Sequence, residues 1–269
     1  MIEFKSFKDG KRHICTFSYD DCPPDDYKLV EIFNRYGMKA TFNVNSVNFE
    51  RDYGVNGEDV STLYKGHEVA VHTVNHPWIE KCANVTLINQ VIEDRKNIEK
   101  YCGYVVRGMA YPYGTYDEDS IKILKSCGIV YARTAGGTNG FNFPTDFMKW
   151  TGTCHHNNAE PCVDRFISAL DSAWASNLLY IWGHSFEFPK SDEYGFDYME
   201  RLCAKLAEHK DKIWFATNIE IYDYIMAQKS LQVAADESFV YNPTQIDVWV
   251  VKDGKDYKIP AGEKVVFCS

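Results

Sequence analysis

Between residues 12 and 228 the chain repeats one pattern about seven times: a short apolar run followed by a stretch of helical periodicity. The runs are "HICTFSY", "KATFNVN", "HEVAVH", "GMAYPYG", "IVYART", "LLYIWGH" and "KIWFAT". They are too short for helices and suit strands buried on both faces. The helical stretches include "YKLVEIFNRYG", closed by Gly37, and "VTLINQVIEDRKNIEKYCG", which sets Leu87, Ile88, Val91, Ile92 and Ile98 on one face before Gly103. "EDVSTLYKG", "DEDSIKILKSCG", "VDRFISALDSAWAS" and "FDYMERLCAKLAEH" continue the series, and Thr217 with Glu220 forms a capping box opening "NIEIYDYIMAQ". The pattern is weak only around "FMKWTGT". Such alternation requires a parallel sheet covered by helices. An open sheet and a closed barrel both satisfy it. Seven units without a Gly-rich phosphate loop favour the α/β barrel.

Past residue 228 the period changes. "FVYNPTQIDVWVVKDGKDYKIPAGEKVVF" alternates apolar and polar residues around Asp253-Gly254, a favoured two-residue hairpin turn. The expected division is therefore a barrel over residues 1–228 and a small antiparallel β appendage over 229–269.

Composition narrows the partners. With 45% hydrophobic and 25% charged residues the chain reads as a soluble globular protein. A net charge of −9 argues against nucleic acid and against an anionic membrane surface. No apolar run approaches the roughly eighteen residues a membrane span needs. The start, "MIEFKSFKDGKRHICTF", lacks the apolar core of a signal peptide. Nine scattered cysteines with no Cys-x-x-Cys pair fit free thiols, so a cytoplasmic location is expected.

Polar residues gather where the apolar runs end. "HICTFSY" runs into Asp20 and Asp21, and "HEVAVH" ends on His72, with His76 four residues on. "GMAYPYG" carries Pro112 and Tyr113, and "LLYIWGH" stops on His184. In a parallel barrel these ends open on one face, so topology alone brings them together. Adjacent carboxylates repel. Taken alone, Asp20 and Asp21 are turn formers before a helix that Asp25 or Asp26 caps. His72 and His76, four apart, are placed by a single helical turn so that both reach one ion. One aspartate and two imidazoles suffice to hold a divalent cation; the second aspartate is then free to act as a general base, and His184 as an acid. Zinc suits histidine ligands best, with cobalt, nickel or iron as alternatives. "TCHHN" offers Cys154, His155 and His156 as a second metal site, as a brace near Asp20, or as a polar loop with a buried cysteine.

These residues, in this order, resemble the polysaccharide deacetylases, the NodB-like family four of the carbohydrate esterases. The resemblance covers roughly residues 12 to 228 and implies a distorted (β/α) barrel that removes acetyl groups from sugars with a bound divalent metal. "TFSYDDC" is similar to the family's first motif, with two extra residues and Cys22 where glycine is usual; "HTVNH" matches the second. By position Asp20 resembles the base, and Asp21, His72 and His76 the metal ligands. "AYPYG" keeps the Pro-Tyr half of the third motif, so Tyr113 inherits the oxyanion-binding backbone N–H. Ala110 stands where an arginine would brace the base, and Arg107, three residues away on a strand, should face the other side. "DFMKW" retains Asp146 and Trp150 of the fourth motif but has Lys149 before the tryptophan. "LLYIWGH" resembles the fifth, with His184 as the acid. Within the family the chain most resembles a bacterial branch that carries "SYDD" and "AYPYG".

The resemblance implies an acetylated oligosaccharide or polysaccharide substrate, N-acetyl in preference to O-acetyl. Trp150 and Trp182 are candidates for a sugar-stacking floor, with core packing as the competing role, and Pro112, Tyr113 and His155 complete the expected substrate contacts. Hydrolysis of a small amide or ureide, and a catalytically inactive carbohydrate-binding barrel, are the alternatives.

Overall fold

The structure, a computed structural model, describes residues 1–172 and 175–267. Nine parallel strands form the main sheet: β2 (His13–Asp20), β3 (Ala40–Val44), β4 (Glu68–Val71), β5 (Gly108–Ala110), β6 (Tyr131–Thr134), β7 (Trp150–Thr151), β8 (Cys154–His155), β9 (Asn177–Gly183) and β10 (Ile213–Phe215). The remaining strands, β1 (Ile2–Glu3), β11 (Gln232–Val233), β12 (Phe239–Tyr241), β13 (Val248–Lys252), β14 (Lys255–Ile259) and β15 (Lys264–Val266), are short and antiparallel. The main sheet is ordered β7-β6-β5-β4-β3-β2-β9-β8. It is a distorted (β/α) barrel, and "FMKWTGT" is where the curl meets itself. The two sheet ends, β7 and β8, are separated only by Gly152 and Thr153, so one run of chain lines both edges. The Thr153 N–H donates to Tyr180 O at 2.7 Å, extending the β8–β9 ladder by one residue. The eight-residue β2 is the central stave. It pairs with β9 along its length, with β10 at its first half and with β3 at its second.

Helices α1 (Asp26–Tyr36), α2 (Val60–Leu63), α3 (Asn84–Cys102), α4 (Glu118–Ser126), α5 (Ala159–Ser168), α6 (Phe196–Ala207) and α7 (Asn218–Lys229) alternate with the strands. Gly37 and Gly103 end α1 and α3 in the left-handed region, which costs glycine nothing. The inward face of α3 is Leu87, Val91, Asp94 and Ile98, whereas Ile88 is exposed. A charged residue thus sits in the stripe read as wholly apolar. α5 is shorter than its periodicity suggests, and Ala173 and Trp174, within that stretch, lie outside the described residues.

At the floor of the barrel a polar network seals the strand N-termini against α7. Glu68 accepts hydrogen bonds from Thr41 Oγ1 (2.7 Å), Tyr131 OH (2.7 Å) and the Ile219 N–H (2.9 Å). Asn218 joins Tyr180 (2.6 Å) to Thr16 (3.0 Å), and Thr217 and Glu220 cap the helix reciprocally. The C-terminal strands make two small antiparallel sheets, one of which takes in β1 from the chain start. Asp253 and Gly254 both have positive φ (51° and 79°), as a primed hairpin turn demands. Among the described residues the eight cysteines are free, and no helix is long and apolar enough to cross a membrane.

Candidate active site and metal centre

Every main strand is parallel, so every C-terminal end opens on the same rim. Asp20 ends β2, His72 follows β4, the Pro112–Gly114 turn follows β5, Arg133 lies on β6 and His184 follows β9. Together with Asp21, His76, Tyr111 and Trp182 they line a cleft of about 320 Å³.

Asp21, His72 and His76 bring one donor atom each into a cluster spanning no more than 4.8 Å. Asp21 Oδ1 lies 3.5 Å from His72 Nε2 and 3.8 Å from His76 Nε2. The His72 Nδ1 meets the carbonyl of Ala110 at 2.8 Å. A carbonyl only accepts, so Nδ1 carries the proton and Nε2 presents its lone pair to the cluster. A carboxylate with two imidazoles so arranged fits a divalent ion. The pair is not presented by a helical turn, as the four-residue spacing suggested. Thr73 and His76 adopt positive φ (67° and 58°), and the His76 N–H donates to Thr73 Oγ1 at 3.1 Å, folding a tight loop. Asn45 Nδ2 pins that loop through the carbonyls of His72 (2.6 Å) and Thr73 (2.8 Å). Asp94, the acid within the α3 stripe, receives the N–H groups of Ser46 (2.8 Å) and His72 (3.1 Å).

Asp20 is buried and held at both oxygens. Asn43 Nδ2 donates to Oδ1 at 2.9 Å, and the guanidinium of Arg133 donates to Oδ2. Arg133 itself is buried, bonded to Thr134 O at 3.0 Å, with its Cζ 4.5 Å from the centroid of the Trp182 ring. The arginine that the third motif lacks is therefore supplied by the neighbouring strand. Arg107 points away, as expected, and pairs with Asp223 of α7. Burial pushes the Asp20 carboxyl up, but the charge of Arg133, then those of His72 and His184, outweigh it and hold the group below the ordinary carboxylate range.

His184 faces the pair of aspartates, its Nε2 3.9 Å from an oxygen of each. Its Nδ1 donates to Glu187 Oε1 at 3.1 Å. Glu187 thus occupies the orienting position for which the fourth motif would supply an aspartate. Asp146 is elsewhere, capping a short 3₁₀ turn through the Met148 N–H at 2.9 Å. Burial lowers the affinity of His184 for a proton, yet the bond to Glu187 and the charges of Asp20 and Asp21 raise it overall. Glu187, in turn, is driven well below the usual carboxylate range: burial opposes this, and the close imidazoles of His155, His156 and His184 override it.

Backbone strain concentrates here. Asp21, Cys22, Thr73, His76 and Tyr113 all have φ between 55° and 76° without being glycine. Cys22 at φ 55° explains why glycine is usual at its position. Neither Asp25 nor Asp26 caps α1 with its side chain; Asp26 is buried, binding Ser185 Oγ (2.5 Å) and Tyr64 OH (2.7 Å), and ties the loop after His184 to α1.

The expected aromatic floor is corrected. Trp150 is 1% exposed and packs edge-on against Tyr131, Phe147 and Tyr180, so it belongs to the core and no sugar face reaches it. Trp182 is 9% exposed; its Nε1 donates to Gly136 O at 2.6 Å, and one ring face is taken by Arg133. Pro112 is buried beneath the turn that carries Tyr113. Tyr113 is 48% exposed and stacks on Trp78 with ring centroids 3.9 Å apart. Trp78, half-exposed at the mouth, is the aromatic residue that sequence reasoning missed; its place two residues after His76 was the available signal. His155 lies beside Trp182, edge-on at 4.8 Å, outside the set lining the cleft.

Fold and cleft together define a (β/α) barrel protein whose polar centre sits at the strand C-termini. Residues 8–132 match the family model of the polysaccharide deacetylases. A chitooligosaccharide deacetylase of Bradyrhizobium sp. (strain ANU 289) is 24% identical over 173 residues, covering 63% of this chain and 64% of that protein. The peptidoglycan-N-acetylglucosamine deacetylase PgdA of Listeria monocytogenes is 28% identical over 118 residues, 43% of this chain and 24% of its own length. The matches therefore span less than two thirds of either relative. Among solved structures, a family 4 carbohydrate esterase from Streptomyces lividans superposes with a TM-score of 0.53 at 15% identity, over 76% of this chain and 91% of that one. The peptidoglycan deacetylase PdaC from Bacillus subtilis gives 0.55 at 17%, over 81% and 93%. Residues 8–132 thus carry the sequence pattern of the polysaccharide deacetylases, and the fold is shared with a family 4 carbohydrate esterase.

Proposed function

We propose that the cleft is the active site of a divalent-metal-dependent hydrolase that removes acetyl groups, N-acetyl in preference to O-acetyl, from an acetylated carbohydrate. The observation carrying this reading is the separation of roles between two adjacent aspartates. Asp21 shares a cluster with His72 and His76, while Asp20 is held apart from it by Asn43 and Arg133. A zinc ion held by Asp21, His72 and His76 would supply Lewis acidity, polarising the acetyl carbonyl and making water more acidic.

The chain's own groups do the remainder. Asp20 stays ionised and takes a proton from the attacking water as general base. The backbone N–H of Tyr113, on a left-handed turn at the cleft mouth, stabilises the developing oxyanion. Glu187 fixes the tautomer of His184, so its Nε2 delivers the proton to the departing amine. The exposed edges of the Trp78–Tyr113 stack offer the acetylated sugar an apolar wall. The printed names of the relatives, acting on chitooligosaccharide and on N-acetylglucosamine of peptidoglycan, favour the amide.

The test is acetate release from acetylated chitooligosaccharides, with and without chelator. Wild type should turn over, lose activity on metal removal and regain it with zinc. Asp20→Asn should fall by about 10²-fold or more. Undiminished metal-dependent turnover in Asp20→Asn would refute the assignment of the base.

A further inference from the structure

Three imidazoles surround Glu187, and only one of them makes an aligned hydrogen bond to it. His184 Nδ1 donates to Oε1. His155 Nε2 and His156 Nε2 approach the other oxygen, Oε2, to 3.1 Å and 3.0 Å. Yet Oε2 and both nitrogens of His156 are buried without an aligned hydrogen-bond partner. We propose that His155, His156 and Glu187 form a second divalent-metal site, separate from the Asp21–His72–His76 cluster and joined to the catalytic cleft through His184.

The spacing fits. Donors about 2.0–2.1 Å from a tetrahedral ion lie roughly 3.3 Å from one another. The two nitrogen–oxygen distances here, 3.1 and 3.0 Å, are close to that. Two imidazoles and a carboxylate select zinc, cobalt or nickel over calcium or magnesium.

The site is also built, not accidental. The fully buried His156 ring is clamped between Phe188 (centroids 4.5 Å, 26°) and Tyr19 (5.8 Å, 13°). A Cβ on Gly183 would stand 2.0 Å from His156 Nδ1, so that glycine makes the room the ring occupies. Clamped in this way, Nε2 cannot swing away from Glu187 to find another partner. A buried imidazole and a buried carboxylate oxygen, each lacking an aligned bond, destabilise the fold, and a shared cation satisfies both. Access exists through His155, which lines a cleft of about 690 Å³ with Gly136, Gly137, Asn139 and Cys154. Glu187 then serves two partners, Oε2 on the ion and Oε1 on His184, the arrangement in which a carboxylate couples a metal to an imidazole. One contact favours an ion-free relay instead: the Asn157 N–H reaches His155 Nδ1 at 3.4 Å, a long bond that would leave the ring proton on Nε2.

The site is independent of the deacetylase reading and is tested without activity. Chelator-stripped protein is titrated with zinc chloride by calorimetry, and stoichiometry is read by native mass spectrometry. Wild type should take two zinc ions per chain. His155→Ala, at a partly exposed position, and Glu187→Gln, which keeps the side chain's shape, should each take one, as should His76→Ala. The double variant His76→Ala/His155→Ala should take none. A wild-type stoichiometry of one, or two ions retained in both His155→Ala and Glu187→Gln, would overturn the proposal. Failure of acetate release with two ions bound would count against the proposed function alone.

Discussion

At the scale of single residues, the site depends on how one buried carboxylate is kept ionised. Asp20 has almost no contact with water, and its charge persists because Arg133 and Asn43 hold its oxygens. Removing Arg133 leaves that charge buried and unpaired, at a cost of about 3–5 kcal/mol. Arg133→Met should therefore lower stability by that order and raise the pKa of Asp20. A base works only when deprotonated, so the acidic limb of the kcat/KM profile should move to higher pH. Arg133→Lys should not restore it, since an ammonium cannot serve Asp20, Thr134 O and the Trp182 face together. A limb unmoved in Arg133→Met would mean that Asp20 is not the titrating base. Asp20, Asp21, His72, His76 and His184 were legible in the sequence because each stands at or just past the end of an apolar run. Arg133 and Glu187 were not. Each acts on a partner from another strand or one turn on, and a bracing residue carries no motif of its own when the fold supplies it from a neighbour.

At the scale of elements, α3 does more than cover the sheet. Its Asp94 reaches through the helix–sheet interface to the backbone of Ser46 and His72, fixing the loops after β3 and β4 together. Both donors are N–H groups, so an amide can satisfy only one. Asp94→Asn should cost about 1–3 kcal/mol, and zinc affinity at the first cluster should weaken by about tenfold or more. Chemical denaturation and zinc calorimetry measure the two effects; unchanged affinity would mean that α3 does not hold the ligand loop. The barrel strands were legible as short apolar runs, the C-terminal strands from a period of two and the long helices from one of 3.6. The Thr73–His76 loop was not, because four-residue spacing describes both a helical turn and a left-handed loop, and only the backbone decides. Trp150 was misjudged on the same ground: a tryptophan at a seam between strands faces inward or outward according to the curl of the sheet.

At the scale of the whole molecule, three acids are buried outside the lining of the cleft. Asp26, Glu68 and Asp94 are each pushed up to about 7, burial being the largest cause in every case and their hydrogen bonds opposing it. A carboxyl whose folded pKa exceeds its unfolded value stabilises the fold fully at low pH and loses that contribution as pH rises through the folded value. For Glu68 the window runs from about 4.5 to about 7. Over it, stability should fall with rising pH by up to about 1.4 kcal/mol per pH unit for each such group. Glu68→Gln should flatten the slope by one such increment, read from urea denaturation at several pH values. An unchanged slope would show that Glu68 does not change protonation there.

Sequence alone determined the layering and the rim. Alternating strand and helix periods force a parallel sheet, and a parallel sheet puts every strand's C-terminal residues on one side, so acids and imidazoles written at those ends had to meet. Tertiary structure decided what lies between the staves. Which strand lends Asp20 its arginine, how β7 and β8 meet across Gly152 and Thr153, and why His156 is sealed against Glu187 all depend on register and curl. Those are set by the packing of residues far apart in the chain, which no local period records.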